Sequence, residues 1–121
     1  AASGVTRVVR GTDIAPSTAT QVVLHRLLDL PIPQYRHHML LMESRDNKLA
    51  KLHGSVGAPQ LREVYRSEQL VGILAHAAGL LEQPEPIQPH ELLADFSWSR
   101  VNETNRLLHW DGTELQLEPN L

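Results

Sequence analysis

A β-branched run, a helix-spaced run and a second apolar run follow one another over residues 5–42, and that order constrains the fold more than any other feature. Val5-Thr6-Arg7-Val8-Val9-Arg10 has the composition of a buried strand. Gly11 to Pro16 reads as a loop, and Ser17 or Thr18 suits the cap of a helix. From Thr18 to Leu30 the apolar residues Val22, Val23, Leu27 and Leu30 keep helical spacing, and Leu24 and Leu28 widen the stripe. Pro31-Ile32-Pro33 ends that helix, and Tyr35 to Met42 returns to strand. Strand, helix and strand at these lengths form a crossover between parallel strands, so the predicted class is α/β. A first strand so close to the amino terminus implies further chain before it to pair with.

Glu43 to Gly57 is a polar loop that carries Asn47-Lys48-Leu49-Ala50-Lys51-Leu52-His53-Gly54. Two lysines three apart after a buried strand suit the gripping of a polyphosphate, because an ammonium on a flexible stem can swing onto a phosphate and release it. Pro59 fits the first turn of a helix running to about Arg66, and Ser67 caps a longer one from Glu68 to Leu81. Gln83 to Pro89 is a stiff proline-rich connection, and His90 to Phe96 a short helix. Ser97 to Leu121 has no strong period, although Asp111-Gly112 suits the turn of a hairpin between Leu107 and Leu117.

The chain's 121 residues allow one modest core, and aromatics at 4% leave it aliphatic. The absence of cysteine excludes disulfides and thiolate metal sites. No apolar run approaches the roughly 18 residues of a membrane span. These features suit a cytoplasmic protein with no membrane partner. Residues 1–66 hold nine Lys/Arg against five Asp/Glu, a net of +4, and residues 67–121 hold two against nine, a net of −7. The basic first half suits phosphates and the acidic second half suits solvent or a basic partner.

Five short segments, in this order, resemble the glutamyl-type class I aminoacyl-tRNA synthetases, above all the short members that glutamylate the queuosine base of tRNA(Asp). They are Val9-Arg10-Gly11-Thr12-Asp13, Ser17-Thr18-Ala19-Thr20-Gln21, Leu30-Pro31-Ile32-Pro33-Gln34-Tyr35, His37 with Leu40-Leu41, and Lys48-Leu49-Ala50-Lys51-Leu52. The resemblance covers residues 4–57, extends to about 95, and stops near residue 100. It implies the second half of a Rossmann-like class I synthetase domain followed by a small helical region. The implied division is 1–57 for the second half of the nucleotide-binding fold with the lysine loop, 58–96 for a helical region like the family's stem-contact part, and 97–121 for an unassigned tail.

The resemblance also implies roles. Arg10 would bind a carboxylate of the glutamate substrate, a match for a guanidinium fork. The backbone around Leu40 and Leu41 would face the adenine of ATP. Lys51 would stabilise the departing pyrophosphate, with Lys48 in support. ATP, with its accompanying Mg2+, and glutamate are then substrates, tRNA is the acceptor, and the family's amino-terminal half is the expected partner. That half carries the His-x-Gly-His turn, the acidic residue near the substrate's amino group and the metal-knuckle segment, none of which lies in these 121 residues. The chain alone is therefore not expected to be active. Ala50 replaces the family's loop serine and Leu52 follows Lys51. These departures leave an alternative: a truncated, non-catalytic relative that binds nucleotide, tRNA or a protein.

Other chemistries find less support. His37 and His38 are adjacent on a strand and face opposite sides, and His25, His53, His76, His90 and His109 share no ligand spacing, so no protein-bound metal is expected. Ser99, His109 and Asp111 lack a nucleophile elbow.

Overall fold

The computed structural model describes residues 3–44, 47–48 and 56–118, with the backbone alone at residues 44, 47 and 48. The chain divides into two compact units, Ala1–His38 and Met39–Leu121.

In the first unit, β1 (Arg7–Gly11) pairs in parallel with β2 (Gln34–His38), in a register that sets Val8 against Tyr35 and Arg10 against His37. Strand periodicity places Val8, Arg10, Tyr35 and His37 on one half-buried face, while Arg7, Val9, Gln34, Arg36 and His38 are exposed on the other. The connection is α1 (Ser17–Leu27), which ends three residues before the expected Leu30. Asp29 takes a left-handed backbone (φ 52°), and the Leu30 N–H donates to the His25 carbonyl, so the helix closes before the prolines are reached. The predicted apolar stripe is only partly covered within this unit: Leu27 is 76% and Leu28 65% exposed. Two strands, spaced about 4.8 Å apart, are too narrow to cover a helix face of that width.

In the second unit, β3 (Leu41–Ser44) lies between β4 (Asn47–Lys48), antiparallel to it, and β5 (Arg106–Trp110), parallel to it. The sheet order is β4-β3-β5-β6, with β6 (Leu115–Leu117) antiparallel to β5. Between β4 and β5 come α2 (Ala58–Val64), with Pro59 in its first turn, and α3 (Ser67–Ala77). The core is aliphatic: Met39, Leu40, Ala75, Ala77 and Leu108 are buried. At Gly72 a Cβ would sit 1.9 Å from the Glu85 carbonyl oxygen, so the proline-rich connection packs directly on α3. Asn102 closes the end of α3, its N–H donating to the Ala78 carbonyl and its side-chain amide to the Ala77 carbonyl.

Two elements differ in kind from expectation. The strand expected over Tyr35–Met42 is two strands in different sheets, β2 and β3, interrupted at Met39-Leu40. The Leu40 N–H donates to Asn105 Oδ1 at 2.8 Å and its carbonyl accepts from Arg106 N, contacts that direct the backbone at this point toward β5. The short helix expected over His90–Phe96 is a single 3-10 turn, Glu91–Leu93. The tail, which has no strong period in sequence, supplies β5 and β6, and the hairpin suggested by Asp111-Gly112 is present, with Gly112 at φ 105°.

Candidate functional site

Arg10 is held by four side chains among the described residues, and all four come from the first unit. Its Nε–H donates to His37 Nε2 at 3.1 Å, its Nη1 to Gln21 Oε1 at 2.7 Å, and its Nη2 to Thr18 Oγ1 at 2.7 Å. The Tyr35 ring lies against the guanidinium, 4.9 Å from Cζ to the ring centroid, and is nearly parallel to the His37 ring (5°, centroids 6.4 Å apart). Thr18 Oγ1 and His37 Nε2 are 3.2 Å apart, so the two acceptors stand side by side along one edge of the guanidinium.

A guanidinium only donates, so Nε2 of His37 is an acceptor and the ring proton sits on Nδ1. Of the five N–H donors of an arginine, three are used among the described residues, which leaves one on each terminal nitrogen without a described partner. Donors that remain on one rigid fork suit a carboxylate or phosphate. Beside them is an open pocket of about 390 Å³, walled by Val8, Leu24 and Leu28 and by Arg10, Gln21 and Tyr35. Apolar walls with a few convergent polar groups are the usual make-up of a small-molecule site.

The local folding that builds this clamp is simple. Arg10 and His37 are partners in the parallel register, and Tyr35 is on the same face two residues earlier. Thr18 and Gln21 are three apart in the first turns of α1, so both present to the same side. Sequence reasoning singled out Arg10 and quoted Thr18, Gln21, Tyr35 and His37 as motif residues without assigning them a role. The register that sets Arg10 opposite His37 is displayed only by the folded chain.

The other expected site residues belong to the second unit. Leu40 is buried and its N–H and carbonyl are both engaged, with Asn105 and Arg106. Leu41 is half-buried at the start of β3, opposite Arg106. The Lys48 backbone forms part of β4, opposite Met42. Lys51 lies outside the described residues, as do Leu49, Ala50 and Leu52. Among the described residues no group of three or more His, Asp and Glu is placed to hold a metal ion, and no helix is long and apolar enough to cross a membrane. Ser99, His109 and Asp111 form no triad: Asp111 accepts from Thr113, Glu114 and Gln116 within its own turn, and Ser99 pairs with Ser97.

No protein-family model matches the chain. Two glutamate–tRNA ligase crystal structures share its fold. That of the Elizabethkingia meningosepticum protein in complex with its amino acid aligns at a TM-score of 0.63 and 20% identity, over 84% of this chain and 24% of that one. The Elizabethkingia anophelis glutamate–tRNA synthetase aligns at 0.64. The mixed α/β fold with its small sheets is thus that of a segment of a glutamate–tRNA ligase.

Sequence comparison gives the family. The chain is 42% identical over 99 residues to the glutamyl-Q tRNA(Asp) synthetase of Symbiobacterium thermophilum, which covers 81% of this chain and 31% of that protein. It is 43% identical over 102 residues to the Nocardia farcinica glutamyl-Q tRNA(Asp) synthetase, covering 84% and 32%. With glutamate–tRNA ligase 1 of Helicobacter pylori it shares 31% over 108 residues, covering 88% and 23%. The chain belongs to the glutamyl-type aminoacyl-tRNA synthetases, and it spans about a third or less of the length of these relatives.

Proposed function

We propose that this chain is the carboxyl-terminal half of the catalytic domain of a synthetase that activates glutamate with ATP and passes the glutamyl group to tRNA. In this reading residues 1–57 complete the nucleotide-binding fold and carry the lysine loop, and residues 58–96 form a helical region beside the tRNA. Residues 97–121 brace that fold through the pairing of β5 with β3. The observation that carries the reading is the Arg10 clamp. Side chains from three other motif segments, 8 to 27 residues away, converge on the Arg10 guanidinium, and two of its N–H groups have no partner among the described residues.

In the reaction a carboxylate oxygen of glutamate attacks the α-phosphorus of ATP, the adenylate forms, and pyrophosphate leaves with Mg2+. Arg10 fixes glutamate by a carboxylate. Lys51, assisted by Lys48, neutralises the charge that develops on pyrophosphate, which is positioning and electrostatics rather than covalent chemistry. The backbone groups of Leu40 are occupied by Asn105 and Arg106, so the adenine contact falls to Leu41, with Leu40 as its buried support.

Identities of 42% and 43% to proteins named glutamyl-Q tRNA(Asp) synthetase, against 31% to a glutamate–tRNA ligase, favour the queuosine base of tRNA(Asp) as acceptor. The test is transfer of labelled glutamate by the complete synthetase that carries this segment. Label should appear on queuosine-containing tRNA(Asp) and not on tRNA(Glu). Labelling of tRNA(Glu) alone would reverse the choice of acceptor, and labelling of neither would remove the transfer reaction.

A further inference from the structure

We infer that His37 is a positioning residue: its Nε2, with Thr18 Oγ1 beside it, fixes the plane of the Arg10 guanidinium so that its two remaining N–H groups face the substrate carboxylate. The inference rests on the reading of Arg10 as the glutamate-binding residue, and adds to it the device that aims the arginine.

The geometry supports more than simple packing. An arginine side chain has several rotatable bonds and a planar head, and one hydrogen bond would leave that head free to rotate about it. Here Nε and Nη2 are held by two acceptors only 3.2 Å apart, which fixes both the direction and the plane of the fork. Gln21 then holds Nη1, and the Tyr35 ring lies over the guanidinium. His37 and Thr18 both accept from Arg10 and also touch each other, so each of the two acceptors holds the other in place. Its acceptor nitrogen requires the Nδ1–H tautomer, so the ring acts as a neutral group beside the cation and does not compete with it for an anion. A fork aimed in advance binds its carboxylate without first losing the entropy of ordering.

Because the role runs through Arg10, it has a signature that a merely structural residue lacks. The Oε1 of glutamine occupies nearly the position of an imidazole Nε2 and accepts a hydrogen bond there, whereas phenylalanine fills the space of the ring without an acceptor. In the complete synthetase, glutamate-dependent exchange of pyrophosphate into ATP is measured for His37→Phe, His37→Gln, Arg10→Ala and the Arg10→Ala/His37→Phe double variant. His37→Phe should raise the KM for glutamate about tenfold or more, as for loss of a hydrogen bond to a charged group. Its KM for ATP should stay within about twofold of wild type, which also reports that the protein is folded. His37→Gln should recover most of the loss. The double variant should be no worse than Arg10→Ala alone, because the two residues act as one unit.

If His37→Phe leaves the KM for glutamate unchanged, raises both KM values together, or is matched by His37→Gln, the positioning role is overturned while Arg10 keeps its place. If Arg10→Ala itself leaves glutamate use unchanged, the reading of Arg10 fails and the inference with it.

Discussion

Arg10 and His37 face each other across the parallel pair β1 and β2, and the Arg10 Nε–H donates to His37 Nε2 at 3.1 Å. A slip of one residue in that register would put His37 on the opposite face and open the clamp. The register of two short strands therefore sets the geometry of the candidate amino-acid site. The same clamp makes Gln21 a sensitive position.

Gln21→Glu should weaken glutamate binding while sparing the fold. The new carboxylate would stand where Gln21 Oε1 now accepts from Arg10 Nη1 at 2.7 Å, pairing with the guanidinium and repelling the incoming carboxylate. In the complete synthetase the KM for glutamate should rise about tenfold or more, a scale set by a charged hydrogen bond, with the melting temperature unchanged or raised. An unchanged KM would show that Nη1 is not turned toward the substrate.

Asn105→Ala should destabilise the second unit by about 1–3 kcal/mol, because it leaves the N–H of buried Leu40 without its acceptor. Asn105→Asp keeps an acceptor oxygen in place and should cost much less. Urea unfolding of the two variants checks this, and equal losses would mean that the contact does not hold β3 in place.

Asp111 predicts a local response to acid. The backbone N–H of Glu114, then that of Thr113 and the Thr113 hydroxyl, donate to its carboxylate and lower its pKa well below the ordinary aspartate value of 3.8. A carboxyl depressed in the folded state contributes its stability in full above the ordinary value and loses it as the pH falls below 3.8 toward the lowered one. The Thr113 and Glu114 amides in the β5–β6 turn should therefore keep their shifts through pH 3.8 and change only well below it. Titration of these amides near the ordinary aspartate value would contradict the turn geometry.

Lys51→Ala should lower kcat far more than it raises the KM for ATP, since stabilisation of leaving pyrophosphate is felt mainly in the transition state. The loss of one such contact is typically about 100- to 1000-fold, and Lys48→Ala should cost less. If kcat for adenylate formation is unchanged in Lys51→Ala, the loop has no part in the chemistry.

Much of the first unit was legible in the sequence. The β-branched run at Val5–Arg10 and the apolar spacing of Val22 to Leu28 are local signals, and both elements formed where those signals lie, with ends shifted by a few residues. The break between β2 and β3 was not legible, because the run from Tyr35 to Met42 is continuously strand-like. What interrupts it is a contact from Asn105, 65 residues away. For the same reason the hairpin at Asp111-Gly112 could be read from its turn, but not the parallel pairing of β5 with β3. In the candidate site Arg10 was legible through its motif. The roles of Thr18, Gln21, Tyr35 and His37 depend on a register and a helix face that only the folded chain displays. Lys51 and most of its loop lie outside the described residues, so their roles rest on the family resemblance.

The central claim is that Arg10 holds glutamate for activation by ATP, and glutamate-dependent pyrophosphate exchange by the complete synthetase with Arg10→Ala tests it most directly. Breaking a buried ion pair typically costs about 3–5 kcal/mol, so kcat/KM for glutamate should fall by roughly 100-fold or more while the KM for ATP stays close to wild type. Near-normal activation of glutamate by that variant would remove Arg10 from the site and contradict the account.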